Sequence, residues 1–277
     1  MNPNCREIRK RELISLKEQL LTQENKLGLA VIQVGDDPAS TVYIKQKAKM
    51  CAELGYSFSH IKLPTTTTDE EVLALIDCLN NDESVNGILV QMPIPKHLDQ
   101  HLIQNRINPI KDVDGLTDVN AGMLIHNRDC LTPCTPQGIM TLLDDANIDL
   151  EGKNVVIVGR SDLVGKPLAC MMTNRNATVT LCHSKTKDLR SHTKNADILV
   201  VAVGIPKMIK ADDVKDGAIV IDVGINRLPD GSLCGDVDYD DVLGKASYVT
   251  PVPGGVGQMT ICELGKNVYK TKKLIRG

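Results

Sequence analysis

The chain has 277 residues, 42% hydrophobic and 24% charged, which is the ordinary balance of a globular protein of about two domains. Its 32 Lys and Arg against 35 Asp and Glu give a net charge of −3, so no basic field attracts nucleic acid or an anionic membrane. Aromatic residues make up 2% of the chain, with one Phe and no Trp, which argues against a base-stacking surface and predicts an aliphatic core.

The sequence also carries signals of cellular location. No apolar run approaches the roughly 18 residues of a membrane span, and the first residues lack the apolar core of a signal peptide. The nine Cys are an odd number scattered through mostly apolar segments, which is typical of free thiols in a reducing compartment. We therefore expect a cytoplasmic protein without membrane or nucleic-acid partners.

Strand and helix patterns alternate in the first half of the chain. Apolar runs predict strands at 29–34, 57–63 and 87–92. Helical spacing predicts helices at 40–54, capped by Ser40 and stopped by Gly55, and at 69–80 and 97–105. Residues 108–136 are rich in Pro, Asp and Gly and are expected to be irregular.

The second half repeats the alternation. Pro136 is expected to begin a helix to about 146, and a second helix is predicted at 165–174. Strands are predicted at 154–158, 178–182, 197–203 and 218–223, and residues 258–277 read as a helix with a solvated basic face. This order predicts an α/β fold with parallel sheets and ligand sites at the carboxyl ends of the strands.

A glycine turn follows the strand at 154–158. The sequence runs through Gly159, Arg160 and Ser161 to Gly165, where the next helix is expected to begin. Backbone N–H groups at such a helix start bind the phosphates of a dinucleotide. Ser161 stands where the usual motif has its second glycine, so an ordinary turn of a parallel α/β domain also explains this stretch.

The end of the following strand bears on which dinucleotide would bind. An NAD site normally has Asp or Glu there to hold the ribose 2′-hydroxyl, but this strand continues into His183, Ser184 and Lys185. Arg160, Ser184 and Lys185 could bind a 2′-phosphate instead, so we infer NADP rather than NAD. The alternative is that Arg160 and Lys185 are ordinary surface cations.

Tyr43 and Lys47 stand at i and i+4 of the predicted helix, so they share a face. Lys45 and Lys49 fall on the other side and are expected to face solvent. A lysine beside a phenol in a partly desolvated cleft can lose its proton near neutral pH and serve as an acid or base. Helical lysines are far more often solvated cations, so this pair alone does not establish a site.

Other polar residues are expected near the same sheet edge. Gln91 ends the third strand, and Asp112 and Asp114 follow in the next loop. One of the two carboxylates could accept hydrogen bonds from an amino-pyrimidine ring, and the alternative is a capped turn.

The sequence gives little support for a metal site. His97 and His101 have the i, i+4 spacing of helical metal ligands, but no third ligand is apparent. Cys130 and Cys134 do not form a zinc pattern. We therefore expect no metal.

Taken together, residues 28–264 resemble one family, the bifunctional methylenetetrahydrofolate dehydrogenase/cyclohydrolases. The matching pieces occur in order along the chain: VGDDPAS at 34–40, Tyr43 with Lys47, GILVQMP at 87–93, KDVDG at 111–115, PCTP at 133–136, GRSDLVGKP at 159–167, CHS at 182–184 and TPVPGGVG at 250–257.

The resemblance implies NADP⁺-dependent oxidation of 5,10-methylenetetrahydrofolate, then hydrolysis of the 5,10-methenyl cation to 10-formyltetrahydrofolate. It implies catalytic roles for Lys47, for its supports Tyr43 and Gln91, and for Asp114, which would hold the pterin ring. The same four residues are expected to bind the substrate together with Pro253, Gly254, Gly255 and Gln258. The residues implied for the cofactor are Gly159, Arg160, Ser161, Val164, Gly165, His183, Ser184 and Ile225, with Arg160 and Ser184 at the 2′-phosphate.

The resemblance also implies a domain organisation and an assembly. We expect a folate-binding catalytic domain of residues 1–135 and 260–277 and a Rossmann-like NADP-binding domain of residues 136–259, with both reactions in the cleft between them. A homodimer joined through the cofactor domains is implied, with roles in one-carbon metabolism and purine biosynthesis and no metal.

The chain departs from the family pattern at two places. Gln258 stands where the family usually has Pro, and the segment before Arg6 is shorter than the usual start. The first departure leaves open a dehydrogenase of the same fold with weak or absent cyclohydrolase activity. A non-catalytic nucleotide sensor is a third possibility, which would not need Lys47, Gln91 and Asp114 together.

Overall fold

The computed structural model of the protein describes residues 3–21 and 26–275, which form two compact units. The three-stranded unit contains the described residues of Arg11–Cys134 and Ile261–Gly277. The five-stranded unit contains the described residues of Met1–Lys10 and Thr135–Thr260. No helix within the described ranges is both long and apolar enough to cross a membrane.

Helices and strands alternate along most of the chain. The α-helices are α1 (Cys5–Leu20), α2 (Pro38–Leu54), α3 (Asp69–Asn81), α4 (Gln100–Arg106), α5 (Asp118–Ile125), α6 (Cys134–Asp145), α7 (Gly165–Thr173), α8 (Leu189–Thr193), α9 (Tyr239–Val242) and α10 (Val256–Ile275). The strands are β1 (Gly28–Val34), β2 (Ser57–Leu63), β3 (Gly87–Val90), β4 (Asn154–Val158), β5 (Thr178–Cys182), β6 (Ile198–Val201), β7 (Ile219–Asp222), β8 (Asn226–Arg227), β9 (Leu233–Cys234) and β10 (Tyr248–Val249).

The sheet of the three-stranded unit is parallel, in the order β2-β1-β3. Strand β1 lies in the middle and is buried along its whole length, as its apolar run, interrupted only by Gln33, predicts. One face of the sheet packs in an aliphatic core with α3 and α4, to which the strands contribute Ala30, Ile32, Val34, Ile88 and Val90. Helix α2 contacts β1 and β2.

The main sheet of the five-stranded unit is also parallel, in the order β10-β7-β6-β4-β5. The chain goes from β4 outward to β5 and then returns to β6 on the other side of β4, so the carboxyl end of β4 is a topological switch point. The predicted α/β fold with parallel sheets is confirmed. A short antiparallel pair, β8 with β9, stands outside this sheet.

The start of α2 differs from the prediction. Asp37 caps the helix, because its Oδ2 accepts a hydrogen bond from the backbone N–H of Ser40 at 2.7 Å. Ser40 is therefore wrong as the cap; the helix begins at Pro38, whose fixed φ suits the first turn. The predicted stop at Gly55 is confirmed, with φ 77° in the left-handed region.

The segment 108–136, expected to be irregular, contains α5. Thr117 caps this helix by accepting the backbone N–H of Asn120 at 3.3 Å, and Asp118 in the first turn suits the helix dipole. Both signals are present in the sequence, but the surrounding Pro and Gly residues led to the prediction of an irregular segment. Helix α6 begins at Cys134, two residues before the expected start at Pro136.

The histidine pair does not have the geometry that its spacing suggested. His97 precedes α4, and its Nε2 lies 2.9 Å from the carbonyl oxygen of Thr67. His101 lies on α4 and pairs with Asp118 at 3.2 Å. Across residues 3–21 and 26–275, no group of three or more His, Cys, Asp and Glu is arranged to hold a metal ion.

Candidate functional site

Helix α2 separates its lysines into one buried and two exposed side chains. Lys47 is 9% exposed, whereas Lys45 and Lys49 are exposed, as the helical spacing predicts. Tyr43, one turn earlier on the same face, is 40% exposed. A buried lysine is rare without a partner, so its contacts decide what it does.

The partner of Lys47 is Gln91, just after β3. The Lys47 Nζ donates a hydrogen bond to Gln91 Oε1 at 2.8 Å, and Gln91 Nε2 donates to the carbonyl oxygen of Met92 at 2.7 Å. Ser40 Oγ donates to the same carbonyl at 3.2 Å. Because its NH₂ group is held by a carbonyl, the Gln91 carboxamide must present its oxygen to the ammonium.

The charges of Lys47 and Asp114 act on each other. Burial lowers the pKa of Lys47, and the negative charge of Asp114 opposes that shift. Burial raises the pKa of Asp114, and the positive charge of Lys47 opposes that shift in turn. Burial thus favours the neutral form of each group while the charge of the other favours its ionised form, and a lysine in such a setting can serve as an acid or a base.

The two residues at 111 and 112, just before Asp114 in the sequence, fix the loop that carries it. Lys111 is buried, and its Nζ donates to the carbonyl oxygens of Leu79 at 3.1 Å and Asp82 at 2.8 Å, at the C-terminal end of α3. Asp112 Oδ2 accepts the backbone N–H of Thr117 at 2.8 Å and the Nδ2 of Asn120 at 2.9 Å. Asp112 therefore stabilises the turn, whereas Asp114 is the carboxylate that acts on Lys47.

Asn267 of α10 is a supporting residue that the sequence analysis missed. Its Nδ2 donates to the carbonyl oxygens of Val113 at 2.9 Å and Thr132 at 2.8 Å, and lies 3.6 Å from Cys134 Sγ. These bonds join the residues before Asp114 to the segment leading into α6. The three-dimensional fold alone reveals this contact, because 154 residues separate Asn267 from Val113.

The expected substrate residues near the end of the chain belong to the five-stranded unit. Pro253 follows a cis peptide bond after β10, and Gly254 and Gly255 lead into α10. The backbone N–H of Gln258 donates to the carbonyl oxygen of Gly255 at 3.0 Å. The roles of these four residues stay predictions.

The glycine turn after β4 is packed too closely for side chains. Gly159 has φ 125°, and a Cβ there would overlap the carbonyl oxygen of Ala202. Gly165 begins α7, and a Cβ there would overlap the carbonyl oxygen of Gly159. The backbone N–H of Val164 donates to Ser161 Oγ at 3.2 Å. This close approach forms a cradle of the kind that holds a dinucleotide's phosphates at a helix start.

The ends of β4 and β5 bring the expected 2′-phosphate residues to one edge. Val158 pairs with Cys182, so Arg160 and Ser184 each follow two residues after laterally paired positions. Both side chains are exposed. His183 forms a turn in which its Nδ1 accepts the backbone N–H of Lys185 at 3.1 Å. This edge, with cations and hydroxyls and no carboxylate from 182 to 187, fits the 2′-phosphate of NADP.

Two further features lie at the loops after β7 and β6. Ile225 is exposed, and its Cδ1 lies 3.7 Å from where a Cβ on Gly257 would stand. Asp236, missed by the sequence analysis, is fully buried, and its Oδ2 accepts the backbone N–H groups of Val203 at 2.7 Å and Gly204 at 2.9 Å. This carboxylate fixes the loop after β6, next to the switch point.

Replacing Gly165 by alanine is expected to weaken cofactor binding and stability together. The added Cβ meets backbone atoms of Gly159, so the turn must shift, at a cost of about 1–3 kcal/mol. The melting temperature should fall by several degrees, and titration should show a higher Kd for NADP⁺. The matched control is Gly122→Ala on α5, where a Cβ meets nothing within 4 Å and stability should hold or rise. An unchanged Kd in Gly165→Ala would contradict the cradle.

Profiles of one protein family match most of the chain. The profile described as tetrahydrofolate dehydrogenase/cyclohydrolase, catalytic domain, matches residues 4–114. The profile described as tetrahydrofolate dehydrogenase/cyclohydrolase, NAD(P)-binding domain, matches residues 133–276.

Individual relatives are similar over nearly the full length. The chain is 53% identical over 264 residues to the bifunctional protein FolD of Bacillus cytotoxicus, covering 95% of this chain and 91% of that protein. The solved structure of the bifunctional FolD methylenetetrahydrofolate dehydrogenase/cyclohydrolase from Campylobacter jejuni is 46% identical, with a TM-score of 0.97 over 99% of each chain. The Trypanosoma brucei N5,N10-methylenetetrahydrofolate dehydrogenase-cyclohydrolase, solved with NADP and an inhibitor, is 34% identical, with a TM-score of 0.94 over 100% of this chain and 99% of that one.

Proposed function

Because the chain belongs to the tetrahydrofolate dehydrogenase/cyclohydrolase family, we propose that it acts on tetrahydrofolate one-carbon units in two successive steps. It oxidises 5,10-methylenetetrahydrofolate to the 5,10-methenyl cation with NADP⁺, and it hydrolyses that cation to 10-formyltetrahydrofolate. The protein is thus both an oxidoreductase and a hydrolase, like its bifunctional relatives.

One observation in the structure supports the assignment most strongly. A buried lysine, Lys47, donates to Gln91 at 2.8 Å and is influenced by the charge of Asp114. A protein that only senses a nucleotide has no use for a buried lysine held in place by a carboxamide. A reaction that adds water to a cation and releases an amine needs a group that can both give and take a proton.

The oxidation step requires the folate and the nicotinamide to be correctly positioned, and it requires no strong base. The nitrogen lone pair of the folate pushes out the hydride from the methylene carbon, so no proton has to leave that carbon. When bound, NADP⁺ supplies the hydride acceptor. In this proposal, the Asp114 carboxylate binds the pterin ring, and the protein's contribution is to hold the reacting carbon at near-attack distance.

The hydrolysis step asks for proton transfer. Water adds to the methenyl carbon of the cation, and the carbon–nitrogen bond to N5 then breaks, with its electron pair staying on the nitrogen. Lys47 gives a proton to that nitrogen and regains one from the oxygen of the added water, whose other proton goes to solvent. Gln91 orients the ammonium, and Tyr43 lies one turn away on the same face of α2.

The residues of the five-stranded unit are assigned to NADP. The turn of Gly159, Ser161, Val164 and Gly165 would hold the diphosphate at the start of α7. Arg160 and Ser184 would hold the 2′-phosphate, with His183 and Ile225 beside the nucleotide. The substrate roles of Pro253, Gly254, Gly255 and Gln258 are proposed on the family resemblance.

Assembly and location are proposed on the same ground. We assign the folate to residues 1–135 and 260–277 and NADP to residues 136–259, in a cytoplasmic homodimer that supplies formyl groups for purine biosynthesis. Exposed apolar side chains of the five-stranded unit, Leu233 and Leu243, are compatible with an interface between copies.

A two-part spectrophotometric assay tests the function. With 5,10-methylenetetrahydrofolate and NADP⁺, the absorbance of the methenyl product should appear only when the protein is present, with kcat/KM at least about tenfold lower for NAD⁺. The methenyl cation supplied directly, without any nicotinamide, should be hydrolysed faster than in buffer. If no methenyl product forms with either nucleotide, the function is wrong. If it forms but decays at the buffer rate, the chain is the dehydrogenase without cyclohydrolase activity that Gln258 left open.

A further inference from the structure

Gln33 is a buried polar residue to which the proposed function assigns no role. It lies near the carboxyl end of β1, is 3% exposed and stands in the middle strand of the sheet. Ile32 pairs with Val90 of β3, and the backbone N–H of Gln91 donates to the carbonyl oxygen of Ile32 at 2.8 Å. The pairing therefore continues one step, which makes Gln33 and Gln91 lateral neighbours on strands about 4.8 Å apart.

The two glutamine side chains leave the sheet on the same face. Ile32 and Val34 of β1, and Ile88 and Val90 of β3, belong to the core on one face of the sheet. Because side chains alternate along a strand, residues 33 and 91 point to the other face. That is where Lys47 of α2 reaches Gln91. Gln33 is thus beside the carboxamide that orients the proposed catalytic lysine.

The amide nitrogen of Gln33 has no hydrogen-bond partner among the described residues, whereas both polar atoms of the Gln91 carboxamide have one. Gln33 Oε1 lies 2.9 Å from His60 Nε2, while Gln33 Nε2 is buried and has no hydrogen-bond partner among the described residues. Gln91 Oε1 is occupied by Lys47. Glutamines at paired positions of parallel strands can form a ladder, in which the amide of one donates to the oxygen of the next. Here the Gln33 donor has no partner among the described residues, and the bond to Lys47 directs the Gln91 acceptor toward α2.

We infer that Gln33 is a positioning residue that replaces Lys47 as the donor to Gln91 during the reaction. The inference rests on the proposed function, in which the Lys47 ammonium turns from Gln91 to the folate nitrogen. At that moment, Gln91 Oε1 would be a buried acceptor without a donor, which is unfavourable. The Gln33 Nε2 then donates to it and completes the ladder. The unpaired donor is thereby satisfied only in the reacting state, which favours that state over the resting one.

A purely structural role for Gln33 predicts a different outcome. In that case, replacing it would affect both activities alike. An exchange role predicts that the hydrolysis alone becomes slower. Because Gln33→Met loses the contact with His60 and the unpaired donor in either case, the ratio of the two rates, not the stability, distinguishes the roles.

The test combines Gln33→Met, Gln91→Met and the double variant, with Gln46→Met as the matched control because Gln46 is exposed on α2. Gln33→Met should lower the cyclohydrolase kcat about tenfold, with folate KM and dehydrogenase kcat close to those of the wild type. In the Gln91→Met background, the same change should have no further effect, because its acceptor is gone. Gln46→Met should match the wild type throughout.

Three outcomes would overturn the inference: a wild-type cyclohydrolase kcat in Gln33→Met, an equal further loss in the Gln91→Met background, or a parallel fall of both activities. If Gln33→Met does not fold, a structure of the wild-type chain tests the inference instead. A crystal structure of the wild-type chain with a bound folate-analogue inhibitor should place Gln33 Nε2 within about 3.2 Å of Gln91 Oε1. Wild-type hydrolysis in Lys47→Met would instead reject the role proposed for Lys47, whereas failure to form the methenyl product in the wild-type chain would reject the proposed function itself.

Discussion

Replacing Lys47 by methionine is expected to lower the cyclohydrolase rate by about 10²–10⁴-fold, the usual contribution of a positioned proton-transfer group. Methionine keeps an unbranched side chain, one atom shorter, and removes the ammonium, so the bond to Gln91 Oε1 at 2.8 Å is lost with little change in packing. The rate of hydrolysis of the methenyl cation, measured without nicotinamide, checks this. NADP⁺ binding should stay unchanged, because Lys47 and the cofactor turn belong to different compact units.

The chain provides a matched control on the same helix. Lys45→Met removes the same charge from an exposed position of α2 and should leave both activities near those of the wild type. The dehydrogenase activity of Lys47→Met should fall less than its cyclohydrolase activity, since hydride transfer requires no proton at the reacting carbon. Hydrolysis at the wild-type rate in Lys47→Met would show that another group moves the proton.

The sequence predicts the alternation of strands and helices well because each parallel sheet contains buried strands that are almost wholly apolar, β1 and β3 in one unit and β4 and β6 in the other. Such strands stand out between amphipathic helices. The errors lie at helix starts, where more than one neighbouring residue can serve as the N-cap. Asp37 and Ser40 are both good caps, and Pro38 decided in favour of the first by setting the start of the helix one residue after it.

The site is predictable to the extent that it depends on local motifs. The motif around Lys47 and the KDVDG loop identify the family, and the family profiles confirm the resemblance. Residue types alone left Asp112 and Asp114 as equivalent candidates, and the family resemblance pointed to Asp114. The hydrogen bonds from Thr117 and Asn120 assign Asp112 to the turn.

Long-range partners could not be predicted. Asn267 reaches the loop of Asp114 across 154 residues, and Asp236 reaches the loop after β6 across about 30. Strand register, rather than a motif, identifies the face on which the side chain of Gln33 lies. The other residues of β1 are apolar on both faces of the sheet, so its sequence gives no sign of which face the one polar residue occupies. Each of these contacts depends on the packed structure.

Replacing Arg160 by alanine is expected to lower kcat/KM for NADP⁺ by about 10–10²-fold, the contribution of hydrogen bonds between a guanidinium and a phosphate. The same change should leave kcat/KM for NAD⁺ within about twofold, because NAD⁺ has no 2′-phosphate to lose the contact. The physical basis is the sheet edge where β4 and β5 end side by side, with Arg160 and Ser184 exposed there and no carboxylate between 182 and 187. Steady-state kinetics with each nucleotide give the two ratios.

The ratio of the two nucleotides separates specific recognition from general electrostatic attraction. Arg190→Ala removes a charge from the same unit, at an exposed guanidinium that already pairs with Asp212 at 3.0 Å, so it should change both nucleotides equally and little. Raising the salt concentration should likewise weaken a diffuse attraction more than a direct contact. Equal losses for NADP⁺ and NAD⁺ in Arg160→Ala would mean that this arginine holds the shared diphosphate, and the choice of NADP would then have to come from Ser184 or Lys185.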